Sequence, residues 1–333
     1  MRSLYKPRSL WELIPLQDSH LSEYVAELRN LISQGYIRVS GGKARLTAKG
    51  SRYAAELGLK ALNDEKCVKY MIPSEFVPVL NEYKKLVKSR PNPVEKYDQG
   101  YIGDTDAILR LAFMYERGDL EGASVLILGD DDMMGIAFAL TNLPKRILVL
   151  DIDKRIIEYE KKVAAEKDLR IEAKLYDASQ PLDKSLRGKF DVFLTDPVET
   201  LEGIKVFLSR CASAIKANGA GYFGVTHLEA SLKKWLEIEK MLISMNLVIT
   251  DILRDFSIYP TKDNIGLAAH NYPITNMLKE LGAGEIDSDF FRSSFFRVEA
   301  IDEPKPLIKG KVDIREAMYK DDESLVTSKI AGR

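Results

Sequence analysis

Acidic side chains follow four predicted strands, at the point where each strand ends. A buried apolar run ending at Leu128 is followed by Gly129 and then by three consecutive aspartates. The carboxyl ends of parallel strands meet at one edge of a sheet, so these carboxylates are expected to line one cleft. A single acid after a strand is often only a helix cap, whereas four in register predict a site for a cationic ligand. The strand-terminal acids are Asp130, Asp131 and Asp132, then Asp151, Asp177 and Asp196.

The turn after the first of these strands begins like a nucleotide-binding βαβ unit but lacks its glycine pattern. Residues 129–135 read Gly-Asp-Asp-Asp-Met-Met-Gly, and three carboxylates at this place repel a pyrophosphate. Asp151 follows Gly129 at about 20 residues, where an acid accepts hydrogen bonds from ribose hydroxyls. Asp177 is placed to contact the amino group of a purine. These three residues therefore predict binding of a nucleoside without phosphate, such as an adenosyl sulfonium.

The aspartate triplet also indicates which sulfonium is bound. S-adenosylmethionine carries a carboxylate that neighbouring aspartates repel, whereas decarboxylated S-adenosylmethionine keeps only its cationic amine and sulfonium. The alternative is a helix start whose acids are stabilised by the helix dipole. That alternative accounts for one or two of the acids, so the decarboxylated form is the favoured co-substrate. We predict no tightly bound cofactor and no metal site, since no Cys/His spacing suggests zinc.

The loop after the fourth strand reads Asp196-Pro197-Val198-Glu199-Thr200. It resembles the Asp-Pro-Pro-Tyr loop of amino methyltransferases, although the second proline and the aromatic residue are absent. Asp196 is placed to hold or deprotonate an amine. The alternative is a helix N-cap with Glu199 as the acid of a capping box.

A second acidic segment precedes the helix predicted from Ala107 to Arg117. One interpretation is that Gln99, Asp104 and Asp106 line the cleft opposite the aspartate triplet. The other is local: Asp104 or the following threonine caps the helix, and Asp106 lies in its first turn. The sequence leaves both open.

Strands and helices alternate regularly from Ser124 onward, which predicts an α/β sheet with helices on both faces. The ending, an antiparallel pair, resembles that of the class I methyltransferase-like, Rossmann-like doubly wound fold. We assign residues 98–333 to this domain, including a C-terminal tail. Residues 71–97 form a linker, because a helix there is ended by closely spaced prolines.

Residues 1–70 are predicted to be a separate small domain. A helix, a hairpin around Ser40-Gly41-Gly42-Lys43 and a second helix together resemble a winged helix. Residues 1–60 carry ten Lys and Arg against five Asp and Glu, which suits phosphate contacts. The helix before the wing is poor in basic residues, so packing against a partner domain or a homodimer partner is favoured over nucleic acid.

Composition excludes several classes of protein. The 333 residues are 45% hydrophobic and 30% charged, with a net charge of −1, as in a globular protein without a strong global field. Two cysteines cannot form a disulfide framework, and no apolar run approaches the ~18 residues of a membrane span. A cytoplasmic location is expected, and the many charged residues suit a thermophile.

Taken together, these motifs resemble one known family. Gly-Asp-Asp-Asp after the first strand, Asp-Pro-x-Glu-Thr after the fourth and the N-terminal unit are similar to the branched-chain polyamine synthases of thermophilic archaea and bacteria. The resemblance implies aminopropyl transfer from decarboxylated S-adenosylmethionine to the N4 amine of spermidine, with methylthioadenosine as the leaving group. A second transfer gives the bis-substituted product.

The resemblance also implies roles for particular residues. Asp131 orients or deprotonates the attacking nitrogen, with Asp196 as the second catalytic residue. Cationic groups of the substrates are held by Asp130, Asp132, Asp196 and Glu199. A segment similar to one in the family lies near the nucleoside and leaving group, and Tyr259 forms a wall of the site. That segment comprises Tyr97, Asp98 and Gln99.

Two rival functions remain open at this point. The first is an S-adenosylmethionine-dependent amino methyltransferase acting on nucleic acid, with the winged helix as its docking module. The second is a winged-helix regulator whose α/β domain senses a polyamine without turning it over. The Asp-Pro loop supports the first rival, whereas the aspartate triplet opposes it.

Overall fold

The N-terminal part of the protein combines short helices with a small sheet. The structure, a computed structural model, describes residues 1–17, 19–61, 71–262, 272–313 and 316–326. The small sheet has the strand order β1-β3-β2, with both pairings antiparallel. Its elements are β1 (Arg8–Ser9), α1 (Leu10–Leu13), α2 (Leu21–Ser33), β2 (Ile37–Ser40), β3 (Lys43–Leu46) and α3 (Ala48–Glu56).

A seven-stranded sheet forms the centre of the remaining chain. Its strands are β4 (Ser124–Leu128), β5 (Arg146–Asp151), β6 (Glu172–Leu175), β7 (Phe190–Thr195), β8 (Ile215–Val225), β9 (Leu247–Ile258) and β10 (Arg292–Ala300). The order is β6-β5-β4-β7-β8-β10-β9. The first five strands in this order are parallel, and β10 pairs antiparallel with both β8 and β9. The predicted α/β architecture with an antiparallel ending is therefore confirmed.

Helices cover both faces of this sheet. One hydrophobic cluster joins α4 to α7 to one face, and a second joins α8 and α9 to the other. Every residue of β4 is buried, which explains why its sequence is apolar without alternation. The helices are α4 (Val77–Val87), α5 (Asp104–Glu116), α6 (Met134–Thr141), α7 (Lys154–Lys167), α8 (Leu201–Ala214) and α9 (Leu232–Ser244).

An insertion between β9 and β10 contains α10 (Pro273–Lys279), which the sequence did not reveal. The N-terminal part packs on this insertion through a shared hydrophobic cluster. The Trp11 indole donates to the Gly284 carbonyl at 3.1 Å, and Ser9 donates to Asp287 at 2.6 Å. Leu228 and Val326 belong to the same cluster, so the N-terminal part contacts the segments on either side of the insertion. The predicted domain boundary at residue 70 falls outside the described residues.

One local expectation needs correction. The N-cap of α5 is Gly103, without a side-chain capping bond, rather than Asp104 or Thr105, because the helix already includes Asp104. Strand β9 extends to Ile258, because β10 pairs with it along its length. Among the described residues, no helix has the length and apolar character that crossing a membrane requires.

Candidate active site

Two adjoining cavities open at the carboxyl ends of the central parallel strands. The first cavity lies beyond β4, β5 and β6, and contains Gly129, Asp151 and Asp177 as predicted. Ser179 adds a hydroxyl to its wall. The rest of the lining is largely apolar and aromatic, and includes Leu128, Leu150, Ile152, Tyr176, Val198, Phe207, Met318 and Tyr319. An apolar slot with carboxylates at one end suits a flat base carrying a ribose.

The second cavity lies on the other side of the strand ends and is strongly acidic. Its far wall carries Glu199 and Glu229, and aromatic rings close its sides. Among the described residues, no Lys, Arg or His lines it. Such a cavity suits an elongated polycation, whose ammonium groups need carboxylates and whose methylene stems need apolar contact. The aromatic walls are Tyr259, Tyr272 and Phe291.

The two cavities meet at four side chains that belong to both: Asp98, Gln99, Asp131 and Asp196. Both predicted catalytic residues therefore lie at the boundary between the two cavities. Asp98 is exposed at this place and has a φ of 55°, a left-handed conformation that is uncommon outside glycine. The predicted segment of Tyr97, Asp98 and Gln99 lines the first cavity throughout.

Asp131 is the member of the triplet that faces the cavities. One of its oxygens, Oδ2, accepts the Gly100 N–H at 2.8 Å, which fixes the side chain toward the junction. Burial, followed by the negative charges of Asp132 and Asp151, raises the pKa of Asp131 well above its ordinary value. A carboxyl group in this state takes up a proton at a pH where an ordinary aspartate stays ionised.

Asp196 has a different environment from Asp131. Its Oδ2 accepts from the Arg110 guanidinium at 2.7 Å, and the Tyr259 hydroxyl lies 3.5 Å from the same oxygen. The other oxygen, Oδ1, is buried without a hydrogen-bond partner among the described residues. A Cβ added at Gly224 would lie 2.4 Å from Oδ1, so the backbone of β8 packs directly against the carboxylate.

The first cavity is shaped by hydrogen bonds from carboxylates to backbone N–H groups. Asp151 accepts the N–H groups of Asp130 at 2.8 Å and Asp153 at 2.6 Å, and burial raises its pKa to about 6. Gln99 donates to Asp153 at 3.1 Å, which connects the Tyr97–Gln99 segment to the end of β5. Asp177 accepts the Ser179 N–H at 2.8 Å. Each carboxylate keeps acceptor sites for hydroxyl or amino groups.

The other two aspartates of the triplet line neither cavity, which differs from the expectation that the whole row faces the substrate. Asp130 accepts the N–H groups of Met134 and Gly135 at the start of α6, at 2.6 and 2.7 Å. It also faces the buried Glu160 of α7, and burial raises the pKa of both carboxyls, so the pair can share a proton. Asp132 accepts the Ile102 N–H at 2.8 Å.

Asp104 and Asp106 also lie outside both cavities. Asp104 is 3.9 Å from the Arg90 guanidinium, and Asp106 accepts the Ile258 N–H at 2.9 Å. Asp106 therefore joins the first turn of α5 to the end of β9, as the local interpretation places it, and Asp104 lies near Arg90. Neither aspartate caps the helix, and Gln99 is the one of the three that lines the cavities.

Glu199 and Glu229 form the acidic far wall of the second cavity. Glu199 accepts the Thr226 N–H with both oxygens at 3.1 Å. Burial and then the charge of Glu229 raise the pKa of Glu199 well above its ordinary value, and burial raises that of Glu229 to about 7. Buried Lys234 of α9 contacts the carbonyls of both residues, at 3.2 and 2.8 Å, and Asp321 at 2.7 Å.

Sequence reasoning missed Arg110, Glu229 and two of the three aromatic walls, Tyr272 and Phe291, whereas Tyr259 lines the second cavity as expected. Arg110 lies among buried apolar residues of α5. A lone arginine on an apolar helix face is the one sequence signal that could have identified it. Glu229 follows β8 outside any motif. The side chain of Glu229 accepts the N–H of Val326, a residue almost a hundred positions away. Contacts over such separations leave no local pattern.

Comparisons with known proteins agree with this geometry. The sequence profile of the branched-chain polyamine synthase A C-terminal domain matches residues 78–326. The chain belongs to this family. It is 35% identical over 335 residues to the N(4)-bis(aminopropyl)spermidine synthase of Methanocaldococcus jannaschii, covering 98% of this chain and 93% of that protein. It is 34% identical to the same enzyme of Thermococcus kodakarensis, covering 96% and 91%.

A solved structure shows the same relationship in three dimensions. The branched-chain polyamine synthase of Thermus thermophilus, in complex with N4-aminopropylspermidine and 5'-methylthioadenosine, superposes with a TM-score of 0.82 at 30% identity. The alignment covers 97% of this chain and 91% of that chain. The predicted family and the predicted class of enzyme, an aminopropyltransferase, are thereby confirmed. The methyltransferase and the sensor are set aside.

Proposed function

We propose that this branched-chain polyamine synthase binds decarboxylated S-adenosylmethionine in the first cavity and spermidine in the second, with the N4 amine at their junction. The observation that carries the proposal is that both cavities share Asp131 and Asp196. A cavity suited to a nucleoside and a cavity suited to a polycation, which meet at two carboxylates, match the two substrates of an aminopropyl transfer. The N4 lone pair attacks the propyl carbon, the carbon–sulfur bond breaks, and methylthioadenosine leaves.

Each cavity supplies the contacts that its substrate needs. In the first cavity, Asp151 and Asp177 accept from the ribose and the base, and the apolar wall holds the adenine. In the second, Glu199 and Glu229 bind the terminal ammonium groups of spermidine. The aromatic rings pack against its methylene stems. Shape and charge thus hold the two reactants in line, which is the main contribution a displacement needs from the protein.

Asp131 is the proton acceptor in this proposal. The secondary amine of spermidine is a cation in water and must lose one proton before it can attack. A carboxyl group with a raised pKa accepts that proton more readily than an ordinary aspartate, because its charged form is disfavoured by burial. The N–H of Gly100 holds the acceptor in place.

Two transfers to one nitrogen make different demands on this residue. The first attack gives a tertiary ammonium, whose one proton must leave before the second attack. The neutral tertiary amine then has no N–H to donate, so Asp131 acts in the second transfer as a proton acceptor and counter-ion alone. The final product is a quaternary ammonium that releases no proton. One proton is therefore removed before each transfer.

The test is a reaction of the purified protein with decarboxylated S-adenosylmethionine and spermidine, followed by the mass of the polyamine and the release of methylthioadenosine. We expect products heavier by one and then two aminopropyl units. Asp131→Asn keeps the shape and an acceptor for Gly100 but cannot take the proton, so both products should fall by about 100-fold or more. Exposed Glu121→Gln is the matched control and should match the parent.

The donor specificity is tested in parallel. S-adenosylmethionine in place of the decarboxylated form should give no product, because its carboxylate faces Asp131 at the junction. Methyl transfer to spermidine, or normal turnover by Asp131→Asn, would contradict the proposal.

The N-terminal part, in the same proposal, is a winged-helix-like unit that supports the second cavity instead of binding nucleic acid. The order of α2, the β2–β3 hairpin and α3 supports the architecture. Its contacts support the role: the Leu21 N–H donates to the Leu228 carbonyl at 3.1 Å, next to Glu229. Buried His20 contacts the Glu323 carbonyl at 3.0 Å. Both contacts hold segments that line the second cavity.

Binding of duplex DNA, measured by fluorescence anisotropy at increasing salt, separates these roles. We expect no saturable binding at physiological salt, whereas specific affinity would return the N-terminal part to nucleic-acid recognition. A homodimer, which the sequence favoured, is tested by light scattering on the same preparation.

A further inference from the structure

Arg110 is a buried cation directly behind the junction of the two cavities. It is 1% exposed and lines neither cavity. Its guanidinium donates to Ser257 at 2.8 Å, to Asp196 at 2.7 Å and to Ser293 at 3.4 Å, and stacks 4.7 Å from the centre of the Phe295 ring. Three strands or loops thus fix a fork-shaped donor that points at one carboxylate oxygen.

The arrangement gives the two junction carboxylates unequal environments. Asp131 receives one backbone N–H and no cationic partner among the contacts described above. Asp196 is paired with a permanent cation through Oδ2, while Oδ1 has no hydrogen-bond partner in the part of the chain that the structure describes. Two titratable groups whose surroundings differ in this way usually divide the work of a site between them.

We infer that Arg110 is a positioning residue that fixes Asp196 at the junction as a permanent counter-ion, and thereby leaves proton acceptance to Asp131. This inference rests on the proposed function and extends it to a residue that touches neither substrate. Asp196 then stabilises the cationic groups at the junction in every step. No Lys could replace Arg110 fully, because one ammonium cannot reach Asp196 and both serines at once.

The second consequence concerns the charge of the junction. Two carboxylates side by side hold an amine in its protonated, unreactive form. Arg110 offsets one of these charges from behind, where it cannot repel the substrate directly. Loss of the guanidinium leaves Asp196 uncompensated, so the protonated amine persists to higher pH and fewer molecules are poised to attack.

A double-mutant cycle tests the inference with the full chain. Arg110→Met, Asp196→Asn and the double variant are compared for kcat, for the KM of each substrate, and for the pH dependence of kcat. We expect Arg110→Met to lower kcat by about 30-fold and to move its acidic limb to higher pH. In the Asp196→Asn background the same change should cost less than about 3-fold and leave the limb in place.

Arg117→Met is the matched control, because Arg117 follows the same helix, is 41% exposed and pairs with Asp251 away from the cavities. It should behave as the parent. If Arg110→Met does not fold, Arg110→Lys replaces it in the double-mutant cycle. Arg110→Lys should then lower kcat in the parent protein but not in the Asp196→Asn variant.

A folded Arg110→Met with the kcat and pH limb of the parent would overturn the inference. So would a loss that persists in full beside Asp196→Asn, since Arg110 would then act on folding or on another group. Failure of the proposed function is seen separately, as absence of aminopropyl product from the parent protein in the same assay.

Discussion

Binding of the acceptor should release protons, because the empty second cavity holds them. With its pKa at about 7, Glu229 is half protonated at pH 7, and the pKa of Glu199 is raised well above its ordinary value. Burial is the main cause in both. The ammonium groups of spermidine have pKa values of about 10 and are therefore charged at this pH. When spermidine binds, these positive charges favour the ionised form of both carboxyl groups, which burial had disfavoured.

The size of the effect follows from these protonation states. Glu229 alone releases about half a proton per spermidine bound near pH 7, so the affinity should rise by about 3-fold between pH 6.5 and pH 7.5, and any release from Glu199 adds to this. A change of about 3-fold corresponds to about 0.7 kcal/mol of binding free energy. The affinity should fall as pH is lowered, since protonated carboxyls must first give up their protons.

Isothermal titration calorimetry without the donor measures this release directly. The heat of spermidine binding is compared between buffers of different ionisation enthalpy at pH 7, and the slope gives the number of protons. Glu229→Gln should release about half a proton fewer, because only half of Glu229 is protonated at this pH. Glu121→Gln should match the parent. Heats that are equal in every buffer, or a Glu229→Gln slope equal to that of the parent, would refute the reasoning.

Three further predictions concern stability and packing. Because the pKa of Glu229 is higher in the folded than in the unfolded protein, protonated Glu229 stabilises the fold, and this contribution is lost as pH rises from about 4 to above 7. Spermidine binds the ionised carboxylate, so it should raise Tm more at pH 8 than at pH 6, measured by scanning calorimetry. Gly224→Ala should lower kcat by about 10-fold or more because its Cβ displaces Asp196, whereas Gly310→Ala, with open space around it, should not. Trp11→Ala, at a site 1% exposed, should lower the free energy of unfolding by about 3–5 kcal/mol in a denaturant titration, and a loss below about 1 kcal/mol would contradict its place in the core.

The fold could be predicted because its signals are local. Buried parallel strands such as β4 have apolar runs, helices have their own period, and turns separate them. The position of the site followed from the same pattern, since Asp131, Asp151, Asp177 and Asp196 end strands whose carboxyl ends meet in any sheet of this type. No knowledge of strand order was needed for this step.

The direction of each side chain could not be predicted, because distant residues decide it. Asp130 turns toward Glu160, thirty positions later, and Asp132 turns toward Ile102, thirty positions earlier. Three identical neighbours thus have three different partners. The burial of Arg110 depends on serines of β9 and β10, which no spacing in α5 reveals.

The shared wall of the two cavities has a consequence for the order of events. Because Asp98, Gln99, Asp131 and Asp196 line both cavities, we expect occupancy of one cavity to change affinity in the other, and by thermodynamic reciprocity the reverse then holds equally. In the proposed arrangement the donor brings a sulfonium to these carboxylates, whereas methylthioadenosine is neutral. The transfer itself should therefore strengthen binding of the polyamine and weaken binding of the spent nucleoside. Exchange of the nucleoside, with the singly extended polyamine kept in place, then allows both additions within one encounter with the acceptor.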